Sequence, residues 1–254
     1  MAIDIAALKA DLTAGGIDVV HEADVRWYNA HVAEQQLPLN PLPTFDRPNG
    51  DALCLLLGNS VALWPAFLTW LGSQPHPEAV TDPLDRYSTA LVSTAIAKLT
   101  RSGEVRHETF WVYHGGDRLV SMQRVALTAG LCYHDSETQL AIHPTFGAWV
   151  AFRAVVVLDL PASHLGEPPA RLPPLLSDEE ETAARAAFAE AMEASSKVEL
   201  TCDGMPIELA HKWAAMRDCV SLGREHKYSA LQSEYHYTKD SSLLRRAIAE
   251  EVPE

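Results

Sequence analysis

The sequence predicts a mixed α/β (α+β) fold in which helices cover a sheet, and three observations carry that prediction. Val150 to Leu158 is an apolar, β-branched run without regular polar positions, the pattern of a strand buried on both faces. Strand-like and helix-like segments interleave as far as residue 160, as helices packed on a sheet require. Beyond residue 176 the pattern is helical, and it opens on Ser177-Asp178-Glu179-Glu180, the S-x-x-E arrangement of a capping box.

In chain order, Ala2 to Leu12 predicts a short amphipathic helix that stops before Gly15-Gly16, and a mixed segment follows through Arg26-Trp27-Tyr28-Asn29. The prolines of Leu37 to Pro43 exclude a helix and predict an extended surface strap. Ala52 to Leu57 reads as a strand ending at the Gly58-Asn59-Ser60 turn. Ala62 to Leu71 reads as a helix with Pro65 in its first turn. A longer helix runs to Leu99, with Asp82 as its cap and Pro83 at its first position. Val105 to Tyr113 predicts a strand, Gly115-Gly116-Asp117 a turn, Leu119 to Gly130 a helix, and Leu140 to Leu160 a bend leading into the buried strand. Prolines 161, 168, 169, 173 and 174 make the segment to Leu176 a linker without an element of its own. Helices then cover residues 177 to 195, 206 to 218, and parts of 227 to 249. The resulting organisation is an α/β core over 1–160, a Pro-rich linker over 161–176, and a C-terminal helical cap over 177–254 that belongs to the same domain.

At 254 residues, with 47% hydrophobic and 21% charged, the chain can bury a sizeable core. A net charge of -14 repels phosphate backbones and anionic lipid, which argues against nucleic acid and membranes as partners. The N-terminus lacks a basic stretch followed by an apolar one, and apolar runs such as Leu53 to Leu57 fall short of the roughly 18 residues a membrane span needs, so a cytoplasmic protein is expected. Cys54, Cys132, Cys202 and Cys219 form no C-x-x-C pair and read as buried reduced thiols.

No Walker loop, G-x-G-x-x-G turn, nucleophile elbow or paired-His zinc helix is present, so the chain shows no certain catalytic residue of those classes. The eleven histidines include no i, i+4 pair beside a carboxylate, and no metal site built from protein side chains is expected. His143 precedes a proline, which keeps its backbone extended and suits it to bracing the bend. Arg153 is the conspicuous residue of the buried strand, because a guanidinium stays charged and needs an anionic partner, either a protein carboxylate or a ligand. Phe146, Trp149 and Phe152 fit either a flat ligand or the core beside the strand. Arg217 and the pair Arg245-Arg246 sit on helices where acidic neighbours could pair with them.

Several of these segments occur together in an order that resembles the CblC family of cobalamin-processing proteins. The series is Val25-Arg26-Trp27-Tyr28-Asn29, Leu37-Pro38-Leu39, Thr81-Asp82-Pro83-Leu84-Asp85, Ala126 to Tyr133, Ile142-His143-Pro144 through Phe152-Arg153, and Arg217-Asp218-Cys219-Val220 with Arg224-Glu225 and Tyr228-Ser229 beyond. The I-H-P-x-F-G-x-W-x-x-x-R pattern is the most specific of them.

The resemblance implies a modified flavin-nitroreductase scaffold, a mixed sheet flanked by helices with a C-terminal helical cap. It implies an enzyme that removes the upper axial ligand of cobalamin, by reductive decyanation with FMN or FAD as donor or by dealkylation onto glutathione or another thiol. The cofactor would then pass to an accepting protein; a flavin reductase and a second copy of the chain are further partners in view. Arg153 and Arg217 match the family's glutathione-contacting positions, with Arg245 as a third. Val120, Ser121, Met122, Gln123, His134, Phe146, Trp149 and Phe152 fall on corrin-facing positions. Leu127 stands where family members carry a His, and the run before Arg217 is less aromatic than theirs. Two other functions therefore compete: a non-catalytic cobalamin carrier or adaptor, and a flavin-dependent reductase of a small organic substrate.

Overall fold

The computed structural model describes residues 4–100, 105–198 and 204–251. Its central element is a four-stranded antiparallel sheet of β1 (Val19–Asp24), β2 (Leu53–Asn59), β6 (Ala151–Leu158) and β3 (His107–Trp111), in that spatial order. β4 (Tyr133–His134) and β5 (Ala141–Ile142) form a separate two-stranded ribbon. The two inner strands are the apolar runs of the sequence: β2 is buried throughout, and β6 is buried from Arg153 to Leu158. Side chains alternate across a strand, so these two strands feed two cores at once.

On one face, Leu53, Leu55, Leu57, Ala154, Val156 and Leu158 meet α1 (Ile5–Ala14), α3 (Leu63–Gly72) and α4 (Pro83–Leu99). The last two helices, α8 (Ala230–Thr238) and α9 (Ser241–Glu251), join the same cluster through Leu231, Tyr235, Leu244 and Ala247. On the other face, Cys54, Leu56, Val155 and Val157 meet α2 (Val25–Glu34) and α5 (Met122–Thr128). A third cluster joins Ile142, Ala148, Ala184, Met216 and Val220, where α6 (Asp178–Ser195) and α7 (Ile207–Asp218) pack as a pair beside the ribbon.

The capping box forms as expected: the Glu180 amide donates to the Ser177 hydroxyl and the Ser177 amide donates to the Glu180 carboxylate. Residues 161–176 carry no element beyond a single 3-10 turn at Ser163–Leu165. Four expectations need correction. The segment before Arg26 is edge strand β1 running straight into α2; its polar His21 and Glu22 hide the strand, and Asp24 caps the helix by accepting from the Arg26 amide. β2 continues through Gly58 to Asn59 instead of turning there. Asp82 makes no cap bond, because its left-handed backbone (φ 44) turns its carboxylate away from the free amides of α4. α5 is shorter than its apolar pattern, since Ser121 is extended and Gly130 takes a positive φ.

Cys54 and Cys132 are buried and free, Cys219 is half-buried and free, and Cys202 and the predicted helix start at Ala2 lie outside the described residues. Among the described residues, no helix is long and apolar enough to cross a membrane.

Candidate functional site

The register between β2 and β6 shifts once. Leu57 faces Ala154, whereas Gly58 faces Phe152, which leaves Arg153 as the extra residue of a bulge. Bulges re-aim side chains. Here the shift puts Phe152 with the cluster of α2 and α5, while Arg153 enters a cavity lined by Leu63, Trp64, Leu84, Gln232, Tyr235 and His236. Only 7% of Arg153 is exposed, and its Nε donates to Asn59 Oδ1 at 2.7 Å.

Arg217, at the end of α7, does not line that cavity but lies behind its wall, sharing Tyr228 and His236 with it. It is also 7% exposed, donates from Nε to the Ala148 carbonyl at 2.8 Å, and lies 4.4 Å from the Trp149 ring centre and 4.8 Å from that of Tyr228. Its Nη2, the Tyr228 hydroxyl and Gln232 Oε1 are buried with no well-formed hydrogen bond among the described residues, although the Tyr228 and Tyr237 hydroxyls lie close enough to act on the guanidinium. Neither arginine has a carboxylate within 4.0 Å among those residues, so the internal salt bridge and the surface ion pair expected as alternatives are both absent. Arg246, by contrast, does pair with Glu250.

Burial of two guanidiniums without a contacting counter-charge is unfavourable by several kcal/mol each, and for Arg153 the Asp85 carboxylate offsets this only from a distance. The neighbours record that field. Burial, then Arg217, Arg153 and Lys239, push the His236 pKa well below its ordinary value, so the ring is neutral. Burial, then the Asp85 and Asp82 carboxylates, push the Tyr235 phenol upward, with Arg153 opposing. The cavity between these side chains holds about 10 Å³, room for one water. A peptide-sized ligand does not fit this cavity as it stands.

Arg245 stands apart from this pair. It lines a neighbouring cavity of about 140 Å³ with Asp82, Asp85, Lys239 and Ile248, separated from the first by Tyr235 and Leu84, which line both. The residues assigned to the corrin also divide. Val120 and Met122 are buried in the core cluster beside α5, and half-buried Phe152 packs against it. The Ser121 amide donates to the Tyr28 hydroxyl, and Gln123 Nε2 donates to the Gln139 carbonyl, with half-buried His134 also close to Gln139. Phe146 stacks on His143 at 4.7 Å and meets His226 edge-on. Trp149 is 1% exposed and forms the floor under Arg217, so it presents no surface to a large ligand.

Sequence reasoning passed over Asn59, Gln232, Tyr235 and His236. The available signal was the four-residue spacing of Tyr228, Gln232 and His236, which puts three polar side chains along one line of a helix and its lead-in. The described thiols are poor nucleophiles: burial pushes Cys54 and Cys132 up to about 12 and raises Cys219 as well.

His143 braces the bend as its sequence position suggested. Its Nδ1 accepts from the Thr145 and Phe146 amides, while its backbone pairs with Gly147. Burial first, then His21, pushes its pKa from 6.5 down to about 4, with Asp18 opposing. The folded state thus binds fewer protons than the unfolded chain between those values. Stability from this residue is complete above about pH 6.5 and is lost as pH falls towards about 4, by roughly 2 kcal/mol after discounting for its partial exposure. Urea midpoints at pH 7 and pH 4.5 should differ accordingly, and His143→Asn, which keeps an acceptor without a titrating ring, should flatten that difference. An unchanged slope in the variant would assign the acid sensitivity elsewhere.

No family model matches the sequence, and no curated protein matches it either. Among solved structures, the chain is similar to a C. elegans B12-trafficking protein CblC, a human MMACHC homologue, with a TM-score of 0.71 and 19% identity over 98% of this chain and 97% of that one. It is also similar to an epoxyqueuosine reductase (TM-score 0.53, 12% identity, 89% of this chain and 68% of that one). A Streptococcus thermophilus epoxyqueuosine reductase gives a TM-score of 0.50 at 11% identity over 98% of this chain and 80% of that one. At these identities the likeness speaks for architecture: the chain has a CblC-like mixed α/β fold.

Proposed function

We propose that the protein binds cobalamin, removes its upper axial ligand with the help of a small thiol such as glutathione, and passes the cofactor on. The observation that carries this reading is the pair Arg153 and Arg217, two buried guanidiniums without a carboxylate partner inside a CblC-like fold.

The arrangement suits a ligand with carboxylates and a thiol. Arginines hold carboxylates through paired, charge-assisted hydrogen bonds that fix orientation as well as position. The Nη2 of Arg217, hydroxyl of Tyr228 and Oε1 of Gln232 would then gain well-formed partners. Since the described cysteines are poor thiolates, the nucleophile comes from the small thiol, whose ionisation the two cations favour. In dealkylation the thiolate sulfur forms a bond to the alkyl carbon, the cobalt–carbon bond breaks, and both electrons stay on cobalt. The protein holds sulfur in line and keeps water away.

Leu127 favours a second reading, a carrier without turnover, because an apolar side chain on α5 can offer no hydrogen bond to a departing group. Addition of methylcobalamin to the purified protein should shift the corrinoid spectrum to the base-off form at micromolar concentration. Anaerobic addition of glutathione should then give the thioether and reduced cobalt. No spectral shift would overturn both readings; a shift without thioether, with either thiol or reduced flavin, would leave the carrier.

A further inference from the structure

A second cationic site lies on the opposite face of the sheet, between α2, α5 and a second strap, the part of the Pro-rich linker from Gly166 to Arg171. His31 is 6% exposed, and both of its ring nitrogens face guanidiniums: Arg171 Nη2 lies 3.2 Å from Nδ1, and Arg124 Nη1 lies 3.5 Å from Nε2. A neutral imidazole has one acceptor nitrogen, yet two donors are aimed at this ring. One contact is therefore donor against donor, and protonation of His31 would make both so.

Neither arginine has an ion-pair partner within 4.0 Å among the described residues. Arg26, at the same groove, does have one in Asp24. The strap is held in place, since Pro169 packs against Gly130 at the end of α5 closely enough that a Cβ there would lie 3.0 Å from the proline ring. Beside His31 and Arg171 opens a groove of about 440 Å³, with Trp27 on one wall and Pro168 and Pro169 on another; Arg124 meets the His31 ring from the side away from that lining. That volume exceeds what a bare oxyanion needs and leaves room for an attached group. The two carboxylates at its rim, Glu34 and Glu167, are exposed and make no ion pair with Arg124 or Arg171.

We infer that His31, Arg124 and Arg171 form an oxyanion site for a phosphate ester, seated between α2, α5 and the strap. A phosphate in the groove accepts from Arg171 and from a protonated ring, which relieves the donor clash on that side through charge-assisted hydrogen bonds, and the Arg124 guanidinium adds its charge from across the ring. The remaining groups facing His31 are Glu34 on its own helix, which favours protonation, and His134 on the ribbon, with which it interacts directly and unfavourably when charged. Burial, Arg171 and Arg124 hold the free ring neutral, so anion binding and proton uptake are coupled. The phosphate could belong to the nucleotide tail of a bound corrinoid or to a separate phosphorylated compound.

The test is a titration of the intact protein with inorganic phosphate, followed through the His31 imidazole resonances at matched ionic strength. Phosphate should bind at millimolar concentration and raise the His31 titration midpoint by roughly one pH unit. Arg171→Gln, on the exposed strap where folding is not at stake, should weaken binding at least tenfold, and Arg124→Gln should do the same. Arg185→Gln, which removes a surface pair with Glu137 and Glu181, should leave binding unchanged. A His31 ring that ignores phosphate, or responds equally in Arg171→Gln, overturns the site.

Repeating the titration with corrinoid bound separates the two sources. Cobalamin, but not cobinamide, blocks phosphate if the tail occupies the groove; phosphate binds beside both if the occupant is separate. Because the phosphate titration needs no corrinoid, a failure here is distinguishable from a failure to bind cobalamin.

Discussion

Arg153→Met is expected to yield a protein that is more stable than the parent yet slower by about 100-fold or more in thiol-dependent removal of the upper ligand. The two effects have one cause. Arg153 is charged, 7% exposed and bonded to a neutral amide, so the folded state carries a desolvation penalty of several kcal/mol with little compensation. Methionine fills a similar path without the charge. The change leaves Asn59 Oδ1 without its donor, at about 1–3 kcal/mol, which reduces the gain without reversing it.

Under the proposed function turnover moves the other way, because losing a paired, charge-assisted grip on a thiol's carboxylate would be worth about 3 kcal/mol. Arg153→Lys keeps the charge but loses the planar fork, and should recover little of the rate. Urea midpoints, single-turnover rates and cobalamin titration together check this, with corrinoid affinity expected to stay within about twofold of the parent if Arg153 holds the thiol as proposed. A variant that is less stable and fully active would make Arg153 a structural cation and remove the main support for the proposed thiol site.

Gly147→Ala should destabilise the fold by about 3 kcal/mol or more. Gly147 has φ 55, and a Cβ on it would sit 1.7 Å from the Leu222 carbonyl oxygen. The contact is reciprocal: Gly223, with φ 70, would place its own Cβ 2.3 Å from the Phe146 carbonyl carbon. Backbone thus meets backbone where the bend before β6 touches the loop after α7, and no side-chain rotation can relieve the clash.

The melting temperature should fall by about 6–12 °C, given roughly 2–4 °C per kcal/mol for a domain of this size. Turnover should fall as well, since Arg217 is anchored to Ala148, next to the disturbed position. Gly115→Ala is the matched control: nothing lies within 4 Å of its Cβ position, and its φ of -127 suits any residue. A Gly147→Ala melt within about 2 °C of the parent would mean that the bend and the loop separate readily.

Much of the architecture was legible from local pattern. The apolar runs at Leu53–Leu57 and Val150–Leu158 became the two inner strands because each side chain on them is wanted by a core. Ser177 and Glu180 announced α6 because a capping box satisfies backbone donors within one turn and needs nothing from the rest of the chain. β1 was invisible for the converse reason: an edge strand may carry polar residues such as His21 and Glu22, so its pairing with β2 replaces the pattern that would have marked it.

The candidate site divides along the same line. The sequence by itself determined that Arg153 would set a permanent charge within an apolar strand, because a guanidinium cannot shed its charge and the strand around it is apolar. Tertiary structure alone decided which way that arginine points and what it meets. One extra residue in the β2–β6 ladder separates Phe152 from Arg153 across the sheet, and α7 and α8 bring Arg217, Tyr228 and His236 to it from far along the chain. Register and helix docking are set by contacts between distant segments, and no local pattern encodes them.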